Sequence, residues 1–295
     1  MGRDLIVDKD PKSPISEMFR TLRTNIQFMN TNKNLKTLLI TSTVSGEGKT
    51  FIASNLAATF AQANKKVVLL DCDMRKGVLH NIFGTAPRPG LSNFLSGIGI
   101  NGEESEEDLS KYIRETNIPN LYLLPSGNIP PNPSELIASE KMINLLRELS
   151  ELCDIVILDG TPSLIVTDSV ILSRFVDSTL LISSQNETKI DDLNKIKKDI
   201  DNVGGKIVGV VINKVGVSNK QIQDRYYYYG HKTNLPSVKK KYKKSTYNNI
   251  SRVDNQNNTN ESDNEKKIND EDLSKTNEIL SSLNTYLENE KNKMK

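Results

Sequence analysis

The chain has 295 residues, 36% of them hydrophobic, with 2 cysteines and a net charge of +2. That length holds one or two domains, and so small a net charge gives no bulk electrostatic reason to bind nucleic acid. The apolar residues are unevenly spread: residues 36–215 are rich in Val, Ile and Leu, whereas from about Thr233 the chain is mostly Asn, Lys, Ser, Asp and Glu and cannot bury enough surface to offset its ordering entropy.

Residues 1–13 read as a flexible arm without the apolar centre of a signal peptide. Pro14 opens a helix to about Met29, with Ile15, Met18, Phe19, Leu22 and Ile26 at helical spacing and Glu17, Arg20 and Arg23 on the other face. Taken alone, those charges read as a solvated face. Strand one spans about Lys36 to Thr41 and feeds a glycine loop, Thr41 to Thr50, from which a helix runs to Asn64-Lys65. The loop fits the phosphate-cradling pattern at Gly48, Lys49 and Thr50, but Thr43 stands where the first glycine belongs. Gly46 and Gly48 let backbone amides turn inward around an anion, and the helix start adds its positive end. Lys49 is placed to reach the β- and γ-phosphates and Thr50 to ligate Mg²⁺.

Strand two, Lys66 to Leu70, runs into Asp71-Cys72-Asp73-Met74-Arg75. Strand ends carry the ligands in open α/β sheets, so Asp71 and Asp73 reach the edge occupied by the glycine loop. Alternation turns both to one side and Cys72 to the other. Two carboxylates beside a polyphosphate call for a cation between them, here Mg²⁺. Short helices are expected at Val78–Phe83 and Leu91–Leu95, a longer one at Glu106–Arg114, a strand at Leu121–Leu124, and a single helix from Glu135 to Leu152 capped by Ser134. Strand four, Asp154 to Asp159, ends in an acid suited to holding Mg²⁺ through water, and Gly160-Thr161-Pro162 reads as a turn. A helix follows from Asp168 to Phe175, then strand five at Ser178–Ser183, a helix at Lys189–Asn202 and strand six at Ile207–Ile212. Asn213 lies where an amide could contact a base. Strands alternating with helices predict an α/β fold with a mostly parallel twisted sheet and helices on both faces. Cys72 and Cys153 fall in the buried strands and read as reduced core thiols of an intracellular protein, and no apolar run approaches the roughly 18 residues of a membrane span.

Beyond Val217 the pattern changes. Tyr226, Tyr227, Tyr228 and Tyr229 are consecutive in a polar, basic setting, which gives neither a strand nor a helix a buried face. They read as a stacking platform, a low-complexity patch or a run of phosphate acceptors. Lys239 to Lys244 is a basic run, and Leu273, Leu280, Leu283 and Leu287 mark a candidate short helix within residues 270–289. The resulting domain plan is an arm at 1–13, a nucleotide-binding domain at 14–218, the tyrosine cluster at 219–232 and an Asn/Lys-rich, largely disordered tail at 233–295.

Together these motifs resemble the bacterial tyrosine kinases of capsule and exopolysaccharide biosynthesis, which share a P-loop NTPase class with the MinD/ParA ATPases. The likeness covers about residues 14–230 and rests on Gly46–Thr50, Val67–Lys76, Ile155–Asp159, Leu124–Pro133, Val208–Asn213 and the helix motif Glu17, Arg20 and Arg23. The resemblance implies ATP and Mg²⁺ as cofactors and a nucleotide-binding set of Ser45, Gly46, Glu47, Gly48, Lys49, Thr50, Phe51 and Asn213. It makes Lys49, Asp71 and Asp73 catalytic, with Asp71 orienting the acceptor tyrosine and taking its proton. Thr50, Asp73 and Asp159 would hold the metal. Tyr226 to Tyr229 would be autophosphorylated in trans within a ring joined through Glu17, Arg20 and Arg23.

The resemblance also implies a membrane-bound activator of the polysaccharide co-polymerase type (Wzz/CapA-like), whose cytoplasmic tail recruits the chain peripherally to the inner face of the plasma membrane. A cognate tyrosine phosphatase and protein tyrosine substrates complete the implied partners, with no nucleic acid. Two departures stand out: Gly160 intervenes before Thr161-Pro162 where the family has Thr-Pro-Pro, and Gly77 stands where proline is common. The alternative is a ParA/MinD-like ATPase switch without kinase activity, but that group carries a signature lysine early in its loop, and no lysine lies between Thr37 and Gly48.

Overall fold

The computed structural model describes residues 5–29, 35–104 and 108–216. The chain divides into two compact units, Met1–His231 and Lys232–Lys295, and every described residue belongs to the first. The sequence expectations for the tyrosine run, the lysine run and the tail helix lie outside the described residues.

A seven-stranded sheet organises the first unit, in the order β3-β4-β2-β5-β1-β6-β7. Its strands are β1 (Thr37–Ser42), β2 (Val67–Asp71), β3 (Arg114–Glu115), β4 (Leu121–Leu124), β5 (Ile155–Pro162), β6 (Ser178–Ser184) and β7 (Ile207–Asn213). All neighbours run parallel except β3, which pairs antiparallel with β4 at the edge. The helices are α1 (Ile6–Lys9), α2 (Pro14–Met29), α3 (Lys49–Gln62), α4 (Leu79–Phe83), α5 (Leu91–Ser96), α6 (Pro133–Ile137), α7 (Glu140–Leu152), α8 (Asp168–Ser173) and α9 (Ile190–Asn202). Among the described residues no helix is long and apolar enough to cross a membrane.

The unbroken apolar runs of the central strands follow from burial on both faces. Leu38, Ile40, Val67, Leu69, Ile155 and Ile157 belong to one core with α2 and α3. Their alternate neighbours Leu39, Val68, Leu70, Val156 and Leu158 belong to a second core with α5 and α7. Period-two alternation thus divides each strand between two cores. The same alternation puts Cys72 in the second core, and both cysteines are buried and free.

Four local expectations change. The described part of the expected arm, from Leu5, is docked: Val7 is 1% exposed, its N–H donates to Asn55 Oδ1 at 3.2 Å, and Gln62 Nε2 donates to its carbonyl at 3.1 Å. Over the described part of 106–114 there is a 3-10 turn, Leu109–Lys111, started by Asp108 accepting from Ser110 N, and then the edge strand β3. Tyr112 packs edge-on against Phe94 at 5.4 Å, so tertiary contact overrides the helical pattern there. The helix expected over Glu135–Leu152 is two helices, because Ser139 starts a new one by accepting from Met142 N; Ser134 instead donates to Asp168.

Gly160-Thr161-Pro162 is not a turn but the end of β5. Ile40 pairs with Asp159 and Ser42 with Pro162, so two steps along β1 match three along β5 and the extra residue forms a bulge. A side chain at Gly160 would meet Leu39 Cδ1 at 2.9 Å and collide with Ser169 Oγ, so any larger residue in the bulge would have to displace its neighbours.

Candidate active site

Three parallel strands end together. β1 delivers the glycine loop, β2 delivers Asp71 and the Asp73 turn, and β5 delivers Asp159; Asp71 and Asp159 are direct register partners. This is the carboxyl edge of the sheet, where open α/β folds gather ligand groups.

The loop backbone is set by its glycines. Gly46 and Gly48 have φ of 93° and 97°, a region L side chains seldom enter. Gly48 is also the residue before α3, and no side chain caps that helix, which leaves its first amides for an anion. Glu47 is 1% exposed and turned into its own loop: one oxygen accepts from Thr43 N at 2.7 Å and Val44 N at 3.1 Å. The other accepts from Thr43 Oγ1 at 2.7 Å and from Thr188 Oγ1. Asn213 Nδ2 donates to the Glu47 carbonyl at 2.8 Å and closes over Gly48, so part of the amide anticipated for a base holds the loop.

Lys49 gathers the acids. Its Nζ lies 3.5 Å from Asp73 Oδ2, 3.5 Å from Asp159 Oδ1 and 3.3 Å from Thr50 Oγ1. Burial works against its charge, but Asp159, Asp73 and Asp71 outweigh burial and raise its pKa. Asp71 is fully buried; Oδ2 accepts from Leu79 N at 3.1 Å, while Oδ1 has no hydrogen bond. Burial first, then the charge of Asp159, pushes the Asp71 carboxyl up to about 8. Burial likewise raises Asp159, against the pull of Lys49. Asp73 Oδ1 accepts from Lys76 N at 2.9 Å, which fixes the turn after β2.

Three carboxyl groups thus face one ammonium, and Asp71 Oδ1 and Asp159 Oδ1 are buried without a hydrogen bond. Unpaired carboxyl oxygens of this kind fit a hard divalent cation, whose charge would favour their ionised form. Among the described residues no three or more His, Cys, Asp or Glu side chains form a closed metal cage. A cation held by one or two carboxylates, a hydroxyl and phosphate oxygens is the arrangement Mg²⁺ favours. Thr50, Asp73 and Asp159 could supply the protein's share.

Sequence reasoning missed the supports around these groups. Arg75 Nε lies 3.2 Å from the buried Asp168, which also accepts from Ser134, so α6, α8 and the Asp73 turn are tied together. In the sequence Asp168 marks only the start of a helix. Thr188, the outer anchor of Glu47, carried no sequence signal. Gly77 is required because a side chain there would come within 2.8 Å of Asp71 Oδ2 and collide with Ser126 Oγ. The expected interface residues divide: Glu17 and Arg20 pair on the surface of α2, whereas Arg23 Nη1 donates to Thr59 O on α3 at 3.0 Å. Tyr226 to Tyr229 lie outside the described residues.

Comparison with known proteins is consistent with this site. Residues 38–240 match the CobQ/CobB/MinD/ParA nucleotide binding domain family. The chain is 39% identical over 226 residues to the putative tyrosine-protein kinase CapB of Staphylococcus aureus, covering 77% of this chain and 95% of that one. It is 36% identical over 235 residues to the tyrosine-protein kinase YwqD of Bacillus subtilis, covering 80% and 94%. The crystal structure of the chimerical protein CapA2B2 superposes with a TM-score of 0.66 at 39% identity, over 72% of this chain and 90% of that one.

Proposed function

Since this chain belongs to the bacterial tyrosine kinases built on the MinD/ParA type of P-loop domain, we propose that it transfers the γ-phosphoryl group of Mg-ATP to Tyr226–Tyr229 of a neighbouring copy and thereby regulates capsular or exopolysaccharide synthesis and export. The observation that carries this reading is the convergence of Asp73 and Asp159 on Lys49 beside the buried, half-unpaired Asp71. Phosphoryl transfer needs positioning and charge stabilisation rather than a covalent intermediate, and these groups divide that work. Lys49 and the first amides of α3 bind and neutralise the phosphates. Thr50, Asp73 and Asp159 would hold Mg²⁺, which would supply positive charge against the phosphates. Asp71 orients the acceptor tyrosine and takes its proton, which a phenol with a pKa near 10 does not surrender unaided. Ser45, Gly46, Glu47, Gly48 and Phe51 complete the nucleotide loop, and Asn213 borders the base.

The same reading places the chain at the inner face of the membrane, recruited by the cytoplasmic tail of a membrane-bound activator. A tyrosine phosphatase resets the cycle. Phosphates of about −1.5 to −2 charge each load the tyrosine run and loosen the ring. The alternative of a non-kinase ATPase switch calls for an early loop lysine that this chain lacks, and it leaves the tyrosines without a role.

The test is direct. The protein incubated with Mg-ATP and the activator's cytoplasmic tail gains phosphotyrosine. Lys49→Met and a variant with Tyr226–Tyr229 all changed to Phe gain none. ATP hydrolysis without phosphotyrosine, with the activator present, would sink the proposal in favour of the switch.

A further inference from the structure

Glu47 presents a physical puzzle: an acid in a phosphate cradle should repel the ligand. Its side chain is buried, yet it faces the loop rather than the space above it, and four donors converge on it from Thr43 N, Val44 N, Thr43 Oγ1 and Thr188 Oγ1. Charge-assisted hydrogen bonds of this kind are the strong ones. Thr43 occupies the place of the usual first glycine, so its hydroxyl is one that glycine could not have supplied.

Thr188 comes from the turn between β6 and α9, far along the chain. Its hydroxyl is itself fixed, accepting from Ser184 N at 2.8 Å while donating to Glu47. The same turn holds the end of β7: Gln185 N donates to Asn213 O at 2.9 Å, and Lys214 Nζ lies 2.7 Å from Glu187. Asn213 in turn holds the Glu47 carbonyl. The loop is therefore gripped at both ends of one residue, side chain and backbone, by the β6–β7 half of the sheet.

We propose that Glu47 is a positioning residue whose carboxylate acts as an internal anion, locked by Thr188, that shapes the phosphate loop before nucleotide arrives. With the amides of Thr43 and Val44 already engaged, the loop cannot relax into other hydrogen-bonding arrangements, and the amides after Gly48 stay directed at the ligand. The inference rests on the loop's binding a nucleotide and not on tyrosine being the acceptor.

The experiment uses the full chain and the fluorescent nucleotide mant-ATP with Mg²⁺. Thr188→Val removes the hydroxyl and is expected to weaken binding about tenfold, the effect of roughly 1.4 kcal/mol. In the phosphotyrosine assay KM for ATP rises by a similar factor and kcat stays within about twofold. Thr188→Ser restores both, because the hydroxyl and not the methyl group does the holding. Wild-type binding by Thr188→Val, or equal weakening by Val and Ser, would overturn the proposal. If Thr188→Val does not fold, Glu47→Gln decides: an amide cannot accept from all four donors, so affinity falls about tenfold, and wild-type affinity refutes the idea. Loss of phosphotyrosine with mant-ATP binding intact would count against the kinase reading alone.

Discussion

Asp71 shows at the scale of one residue how function is set against stability. Its carboxyl is raised to about 8 in the folded protein, by burial first and then by Asp159, against about 3.9 in an unfolded chain. Between those values the folded state binds the extra proton, so stability is full at the acid end of that window and declines as pH rises toward 8. Asp71→Asn removes this cost: the amide keeps an acceptor for Leu79 N and gains a donor beside Asp159. In magnesium-free protein at pH 8, Asp71→Asn is expected to melt higher than wild type by roughly 2–4 °C, the shift that about 1 kcal/mol gives a domain of this size. By pH 4 the difference should vanish. Phosphotyrosine formation should fall by about 10²–10⁴, the range of a lost general base. A lower melting temperature at pH 8 would show that the Asp71 charge is compensated in the fold.

At the scale of elements, the two glycines that depart from the family pattern are both closely packed, Gly77 against Ser126 and Asp71 and Gly160 against Ser169 and Leu39. Gly160 sits in the bulge that follows Asp159, packed on Leu39 and Ser169. Gly160→Val should cost about 1–3 kcal/mol by overpacking and, by displacing the end of β5, weaken mant-ATP binding. Ser139→Ala should cost about 1 kcal/mol through the lost α7 cap and leave binding unchanged. Thermal melts and nucleotide titrations on both variants check the pair, and equal binding losses would mean that the bulge has no special hold on Asp159.

The central strands were legible in sequence because double burial writes itself as runs such as Leu38–Ile40 and Val67–Leu70. Lys49, Asp71, Asp73 and Asp159 were legible because strand ends gather at one edge. The break before Ser139 was visible as a capping residue but hidden by apolar spacing on both sides. The edge strand β3 and the docking of Val7 were not legible, since both depend on partners distant in the chain. Thr188 and Asp168 escaped for the same reason: each matters through a hydrogen bond across more than 30 residues.

For the whole molecule, the proposed transfer between copies calls for a surface on which a second copy can dock. α2 presents Ile15 and Met18, each 47% exposed, beside the paired Glu17 and Arg20, a mixed apolar and charged surface suited to a second copy. Arg23 is already bound to Thr59 O within its own chain, with Nε buried and unpaired, so changing it would damage the α2–α3 contact as well as any interface. The discriminating variant is therefore Glu17→Ala with Arg20→Ala, leaving Arg23 in place. Solution scattering should give a multiple of 33.0 kDa for wild type and the single-chain mass for this variant. Transfer between copies has its own readout. Lys49→Met supplies acceptor tyrosines without a phosphate-binding lysine, and the Tyr226–Tyr229→Phe chain supplies an active site without acceptors. Mixed with Mg-ATP and the activator's tail, they should place phosphotyrosine on the Lys49→Met chain. Adding Glu17→Ala and Arg20→Ala to both partners should remove it while mant-ATP binding persists. An unchanged mass would exclude this face of α2 as the interface, and an unlabelled Lys49→Met chain would mean that each copy phosphorylates only itself.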